Sequence, residues 1–247
     1  MKNLILLLVL GCSAPLFAAQ EPVDPLKAYR ERQEQATPAS VLAWLKEGNE
    51  RFAAGSSHHG GYPADMRERR SISAKGQRPL AAVLSCIDSR TTPDTVFDTA
   101  VGDLFVARVG ANVINDDIVG SLEVAAASGA KVIVVMGHTN CGGVIAACNN
   151  LEFGHFTQLL QKVRPAISTA NDALDRNPEL SRKIGERVAS NGRYIGHVSH
   201  ANARQSTIQL QAKSAVLRDM IAKGEIAVIT ALYDVDTGKV SFEEPAR

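Results

Sequence analysis

Three largely apolar stretches between residues 80 and 137 constrain the fold of the chain most strongly. They are "LAAVLSCI" from residue 80, "LFVARVG" from residue 104 and "KVIVVMG" from residue 131. Continuous apolar runs without alternation are typical of parallel strands that are buried on both faces. The segment "NDDIVGSLEVAAASG", which lies between the last two runs, has a helical apolar stripe, a cap at Asn115 or Asp116 and a stop at Gly129. Strands that alternate with helices predict an α/β fold with a central, mostly parallel β-sheet flanked by helices and with an N-terminal helical arm.

The flanking segments complete this architecture. "TPASVLAWLKEGNERFAAG" predicts a helix that is capped by Thr37 and stopped by Gly55. Residues 154–223 are mostly helical in character. "EIAVITALYDVDTGKVSFEE" then predicts two strands joined by a hairpin turn at residues 236–238.

The N-terminal segment has the layout of a secretory signal. It carries one lysine, an apolar run from Leu4 to Leu10 and small residues at Ala18 and Ala19. We therefore expect residues 1–19 to be a signal peptide and the mature chain to be exported to the periplasm. In the alternative interpretation, "VLGC" is a lipoprotein signal, and Cys12 becomes the lipid anchor of a membrane-attached protein. Residues 20–36 carry Pro22 and Pro25 and read as a linker or loosely attached N-terminal arm, which leaves residues 37–247 as the folded domain.

Charge and cysteine content exclude two further classes. The 247 residues include 27 basic and 26 acidic side chains, so no net field points to a nucleic acid partner. Removal of Cys12 leaves Cys86, Cys141 and Cys148, and an odd number of cysteines argues against a scaffold built from disulfides alone.

Three of the remaining residues suggest a metal site. Cys86 falls at the carboxyl end of one predicted strand and His138 at the end of another, and Cys141 follows in an H-x-x-C pair. Open α/β sheets bind ligands at this edge, and two thiolates with one imidazole suit zinc, with one position left open. In the alternative interpretation the three residues only fill the core. That alternative does not explain Asp88 and Arg90, because a carboxylate at the end of a core strand is costly unless it is paired or binds metal.

"CIDSR" at residue 86 and "GHTNCGG" at residue 137 together resemble the signature of the β-class carbonic anhydrases, here in a bacterial, exported form. The blocks "LKEGNERFAAG", "GDLFVARVGANVI" and "LYDVDTGKVSF" extend the resemblance over residues 41–242. It implies one Zn²⁺ per subunit, bound by Cys86, His138 and Cys141, and a homodimer or a dimer of dimers with its cleft at the subunit interface.

The resemblance also implies the reaction, which is the reversible hydration of carbon dioxide to bicarbonate and a proton. Asp88 is expected to orient a zinc-bound hydroxide while Arg90 holds its carboxylate, and in a closed form Asp88 would itself bind the metal. Gln77, Phe105 and Gly142 are expected to line the substrate site. Two rival functions stay open: hydrolysis of carbon disulfide or carbonyl sulfide at the same site, and a non-catalytic module stabilised by zinc.

Overall fold

A computed structural model of the protein describes residues 25–58 and 66–243, and its centre is a five-stranded sheet in the order β2-β1-β3-β4-β5. The first four strands are parallel to their neighbours, and β5 pairs with β4 in an antiparallel hairpin. The predicted α/β fold with a mostly parallel sheet is confirmed. The strands are β1 (Ala81–Ser85), β2 (Leu104–Arg108), β3 (Val132–His138), β4 (Ala227–Tyr233) and β5 (Val240–Phe242).

Helices surround the sheet, and most of them follow the sequence-based expectation. The long helical region between β3 and β4 forms α6 to α10, and a short 3₁₀ helix, Gly110–Asn112, follows β2. The helices are α1 (Pro25–Glu34), α2 (Pro38–Ala53), α3 (Met66–Ser73), α4 (Pro93–Val96), α5 (Asp116–Ala127), α6 (Gly142–Cys148), α7 (Gly154–Arg176), α8 (Pro178–Ile184), α9 (Gly192–Lys213) and α10 (Ala215–Ala222).

Both faces of the central strands are buried, which explains their continuous apolar sequences. Every residue of β1 and β3 is buried. Leu84 and Ile133 pack on one face with Leu122 of α5, whereas Val83 and its neighbours pack on the other face with Leu45 of α2. Successive side chains of a strand point to opposite faces of the sheet. A strand that is covered on both faces therefore favours apolar residues at consecutive positions.

The boundaries of α2 show the predicted local chemistry. Thr37 and Ser40 form a capping box at its start, in which each side chain accepts a hydrogen bond from the other residue's main chain. Gly55 follows the helix with a φ of 69°, a left-handed conformation that glycine adopts without steric cost. The expected cap and stop are therefore both present.

The N-terminal arm differs from the expectation of a linker. Residues 25–34 form α1, and Tyr29 is buried against the loops that precede β1 and β2. The Tyr29 hydroxyl donates to the Gly102 carbonyl at 3.0 Å and accepts from the Arg78 amide at 2.9 Å. Residues 25–34 therefore form the expected helical arm, and this arm is attached to the domain because Tyr29, a buried aromatic side chain, has two backbone partners.

The remaining N-terminal predictions concern residues outside the described part of the chain. The signal peptide over residues 1–19 and the lipid anchor at Cys12 both fall there. Within residues 25–58 and 66–243, no helix has the length and apolar character needed to cross a membrane.

Candidate metal centre

Cys86, His138 and Cys141 come together at the carboxyl edge of the sheet. Cys86 directly follows β1, His138 is the last residue of β3, and Cys141 precedes the first turn of α6. One donor atom from each of the three side chains lies within 4.8 Å of the others. All three residues are buried, with exposed fractions of 4%, 1% and 1%. The fold therefore places the three predicted ligands around one point.

The donor atoms of this cluster fit a metal ion. His138 Nδ1 lies 2.9 Å from the Thr139 carbonyl oxygen, which fixes the proton on Nδ1 and leaves the lone pair on Nε2. His138 Nε2 is buried and has no hydrogen-bond partner among the described residues. A buried nitrogen of this kind is rare without a ligand, and two sulfur donors with one imidazole nitrogen are a set typical of zinc.

The electrostatics of the two thiols also favour a cation. A hydrogen bond from Cys141, opposed in part by burial and aided by nearby His138, lowers the pKa of Cys86. The hydrogen bond to Cys86 and burial together raise the pKa of Cys141. A dication bound between the two sulfur atoms would stabilise both thiolates, so metal binding would be accompanied by proton release from this pair.

Asp88 and Arg90 form a bidentate ion pair beside the cluster. Arg90 Nε and Nη2 donate to the two carboxylate oxygens of Asp88 at 2.9 and 2.7 Å, and the Arg90 amide adds a bond of 3.0 Å. These contacts with Arg90 lower the pKa of the Asp88 carboxyl to about 2. Arg90 Nη2 also donates to the Asn140 carbonyl at 3.2 Å, which ties the pair to the turn between His138 and Cys141. The carboxylate is held as an anion by Arg90, outside the cluster of three donors.

Arg108 and Thr91 are functional candidates that sequence reasoning missed. Arg108 Nε donates to the Cys86 carbonyl at 2.9 Å, and Arg108 Nη2 donates to the Asp88 carbonyl at 2.6 Å. The Thr91 hydroxyl lies 3.1 Å and 3.0 Å from the same two carbonyl oxygens. The one available signal was the charge of Arg108 in the otherwise apolar run "LFVARVG", since a charged residue in a sheet needs a partner.

The turn after Cys141 has two glycines with different surroundings. A side chain at Gly143 would place its Cβ 3.0 Å from the Cβ of Ala111, so this position must be small for α6 to approach the 3₁₀ helix. Gly142 is exposed, and a Cβ built there would meet no atom within 4 Å. Gly142 therefore lies beside Cys141 and leaves open space there.

The fold of one subunit does not bring Gln77 to the cluster. Gln77 precedes β1 at its amino end, whereas Cys86 follows the carboxyl end of the same strand. Phe105 is partly buried against the apolar side chains between α5 and the sheet, such as Leu122. Cys86 and Cys141 belong to a different apolar cluster. Of the three predicted substrate residues, only Gly142 adjoins the metal-binding side chains within one chain.

Comparison with known sequences gives matches over most of the chain. The model of the carbonic anhydrase family matches residues 81–240. Carbonic anhydrase 2 of Mycobacterium tuberculosis is 33% identical over 212 residues, which cover 83% of this chain and 93% of the relative. The carbonic anhydrase of Mycolicibacterium smegmatis is 32% identical over 82% of this chain and 92% of its own length.

Solved structures share the same fold. A β-carbonic anhydrase of Aspergillus fumigatus has a TM-score of 0.62 and 27% identity, and the match covers 85% of this chain and 91% of the other. One of two tetrameric β-carbonic anhydrases of Sordaria macrospora has a TM-score of 0.61 at 22% identity, over 82% of this chain and 96% of its own. The matched family model, the two mycobacterial relatives and the shared fold lead to one conclusion: the chain belongs to the β-class carbonic anhydrase family.

Proposed function

We propose that the protein catalyses the reversible hydration of carbon dioxide with one Zn²⁺ per subunit, bound by Cys86, His138 and Cys141. The observation that carries this proposal is the buried cluster of three donors with an unpartnered His138 Nε2 and an Asp–Arg pair beside it. When bound, zinc acts as a Lewis acid that makes water a nucleophile near neutral pH. The carbonic anhydrase relatives support this reaction.

Asp88 acts as a hydrogen-bond acceptor that orients the attacking water. An acceptor in this role must stay ionised, and the ion pair with Arg90 keeps the pKa of Asp88 at about 2. Because Arg90 occupies both carboxylate oxygens from one side, the remaining lone pairs are available to a water on the other. Arg90 thus positions Asp88 and keeps the carboxylate away from the metal, which corresponds to the open form.

The substrate site requires a second copy of the chain. Gln77 lies at the opposite end of β1 from Cys86, so it reaches a metal centre only in a neighbouring subunit. We therefore place carbon dioxide and bicarbonate in a cleft between two subunits, lined by Gln77, Phe105 and Gly142, in a homodimer or a dimer of dimers. Export directed by residues 1–19, with Cys12 as the alternative lipid anchor, stays part of the proposal and would locate the enzyme outside the cytoplasm.

Stopped-flow measurement of carbon dioxide hydration by the zinc-loaded protein tests the proposed function. We expect Asp88→Asn to retain zinc and to lower turnover by about a hundredfold or more, because the neutral amide no longer fixes the water. Asp116→Asn is the matched control, since Asp116 also pairs with a cation, Lys213 at 2.8 Å, but its side chain is exposed at the start of α5.

Three outcomes would contradict parts of this assignment. Near-normal turnover by Asp88→Asn would refute the role of Asp88. Full zinc occupancy without any turnover of carbon dioxide would favour a non-catalytic module. Turnover of carbon disulfide or carbonyl sulfide in place of carbon dioxide would assign the site to the rival hydrolases.

A further inference from the structure

The peptide of Ala111 has an unusual backbone conformation beside the metal centre. Ala111 has a φ of 51° and a ψ of 27°, and the next residue, Asn112, has a φ of 45°. Both residues are buried, and neither is glycine. Left-handed backbone is unfavourable for residues with a Cβ and persists where surrounding contacts impose it, often at functional sites. The contacts that hold Ala111 are therefore informative.

The left-handed conformation directs one hydrogen bond to a predicted metal ligand. The Ala111 amide donates to Cys86 Sγ at 3.3 Å, from 25 residues further along the chain. A hydrogen bond to a ligating sulfur withdraws electron density from it and fixes its orientation, and such outer contacts tune the affinity of a metal site. Loss of the left-handed conformation would turn this amide away from Cys86.

Asn202 binds the carbonyl group of Ala111, whose amide group contacts Cys86. Its side-chain Nδ2 donates to the Ala111 carbonyl at 2.7 Å, and both groups are buried. Gly143 of α6 packs against the Ala111 side chain from another direction, where a Cβ would approach to 3.0 Å. Ala111 is thus fixed by a hydrogen bond on its carbonyl and by close packing on its side chain.

Asn202 is itself held rigidly relative to His138. It lies on α9, which packs across β3 where Gly137 leaves room for the helix backbone. A Cβ at Gly137 would lie 2.9 Å from the Ser199 carbonyl oxygen. Because Ser199 is less than one turn before Asn202, α9 connects the strand that ends in His138 with the peptide that contacts Cys86.

We propose that Asn202 is a positioning residue of the metal centre, which holds the Ala111 peptide left-handed so that its amide stays bonded to Cys86 Sγ. This inference rests on the proposed function, in that Cys86 must bind a metal. Asn202 contacts neither the metal nor the substrate; it acts through Ala111. In a merely structural role, Asn202 would satisfy a buried carbonyl without any effect on the sulfur.

Metal binding and the spectrum of the cobalt form distinguish these two roles. Asn202→Ala and the nearly isosteric Asn202→Leu are loaded with Zn²⁺ or Co²⁺, and affinity is measured by competition with a chromophoric chelator. We expect both variants to bind metal about tenfold more weakly than the wild type. We also expect the thiolate-to-cobalt charge-transfer band to move to longer wavelength, because a sulfur that accepts no hydrogen bond gives up an electron more easily.

Ser199→Ala is the matched control. Ser199 is a buried residue on the same helix, and its hydroxyl has no hydrogen-bond partner among the described residues. We expect its metal affinity and cobalt spectrum to match those of the wild type. Asn202→Leu preserves the side-chain volume and so remains informative where Asn202→Ala fails to fold.

Each remaining outcome overturns the inference in a different way. A folded Asn202 variant with lower thermal stability but unchanged affinity and spectrum would assign Asn202 a structural role only. Equal changes in Ser199→Ala would show that the effect belongs to α9 packing in general. A wild-type protein that binds neither Zn²⁺ nor Co²⁺ would refute the proposed function itself, and the inference would fall with it.

Discussion

Several side chains around the candidate site form hydrogen bonds with the main chain of Cys86 and Asp88. Arg108 spans the carbonyls of Cys86 and Asp88, so one planar guanidinium fixes both the residue that would bind metal and the residue that would orient water. Thr91 contacts the same two carbonyls from the other end of the turn. These contacts hold the main chain of Cys86 and Asp88 in a fixed relative position and involve neither the sulfur nor the carboxylate.

The substitution Arg108→Lys tests this arrangement at the level of one residue. A lysine keeps the positive charge, but a single ammonium group cannot reproduce the two directed bonds of the guanidinium. We expect kcat/KM for carbon dioxide hydration to fall by about tenfold to a hundredfold, because small displacements of catalytic groups slow the chemical step. Stopped-flow kinetics on the zinc-loaded variant would measure this loss.

Arg218→Lys provides a control with the same local chemistry. Arg218 Nη1 also donates to two main-chain carbonyls, those of Gln211 at 2.6 Å and Ala212 at 2.7 Å, but it lies on α10. Its replacement is expected to leave kcat/KM unchanged. Equal losses in both variants would mean that general destabilisation, and not the turn at Cys86, explains the effect of Arg108.

The sequence indicated which side chains meet at the sheet edge, but it did not indicate which residues hold their main chain in place. The reason for this difference is physical. Cys86 and His138 were found because strand ends on one sheet edge converge, and Asp88 and Arg90 because they are close to Cys86 in sequence. Arg108 and Asn202 bind backbone carbonyls from 22 and 91 residues away. Every residue has a carbonyl, so such contacts have no pattern of residue types from which they could be predicted.

At the level of elements, burial explains what the sequence predicted and what it left open. β1 and β3 are covered on both faces, so their apolar sequences identified them as central strands. Helix α1 is highly charged, and its attachment depends on Tyr29 and on Gln33, whose side chain donates to the Pro79 carbonyl at 2.7 Å. A few hydrogen bonds to loop backbone leave no periodic pattern, so the sequence left open whether this segment is a linker or an attached arm.

The attachment of α1 predicts a measurable cost for removing one hydroxyl group. In Tyr29→Phe, the Gly102 carbonyl and the Arg78 amide lose their partner while the ring remains packed. We expect the free energy of unfolding to fall by about 1–3 kcal/mol, because partly buried polar groups are left unpaired. For a domain of this size the corresponding decrease in Tm is about 2–6 °C, which calorimetry would detect.

Lys27→Ala is the control on the same helix. Lys27 forms an exposed pair with Glu31 at 3.7 Å, and an exposed pair of this kind contributes little to stability. We expect its Tm to be close to that of the wild type. A Tyr29→Phe protein as stable as the wild type would indicate that α1 is not attached through this hydroxyl in solution.

On the scale of the whole molecule, the sheet separates residues that the proposed reaction needs in one place. Strand β1 has five residues and spans about 16 Å, with Gln77 before its amino end and Cys86 at its carboxyl end. An apolar side chain is also exposed at this carboxyl edge, since Ile87, which follows Cys86, is 65% exposed. Exposed apolar surface next to an incomplete site is what a subunit interface requires.

Complementation between two inactive variants tests whether the site is shared. Gln77→Ala removes the proposed contribution to the neighbouring site, and Cys86→Ser removes a ligand from a subunit's own metal centre. When the two are co-expressed, each mixed dimer contains one centre with all its ligands and an intact Gln77 supplied by the other subunit. With random pairing, we expect about a quarter of the wild-type activity, because half of the dimers are mixed and each has one complete site.

Co-expression of Cys86→Ser with His138→Ala is the decisive control. Both substitutions damage the same half of the site, so no pairing of these subunits assembles a complete set of ligands beside any copy of Gln77. Activity in the first mixture and none in the second would require Gln77 to act across an interface. If Gln77 instead served the centre of its own chain, the mixed dimers of the first pair would be as inactive as their parents, because every centre would then lack either a zinc ligand or its own glutamine.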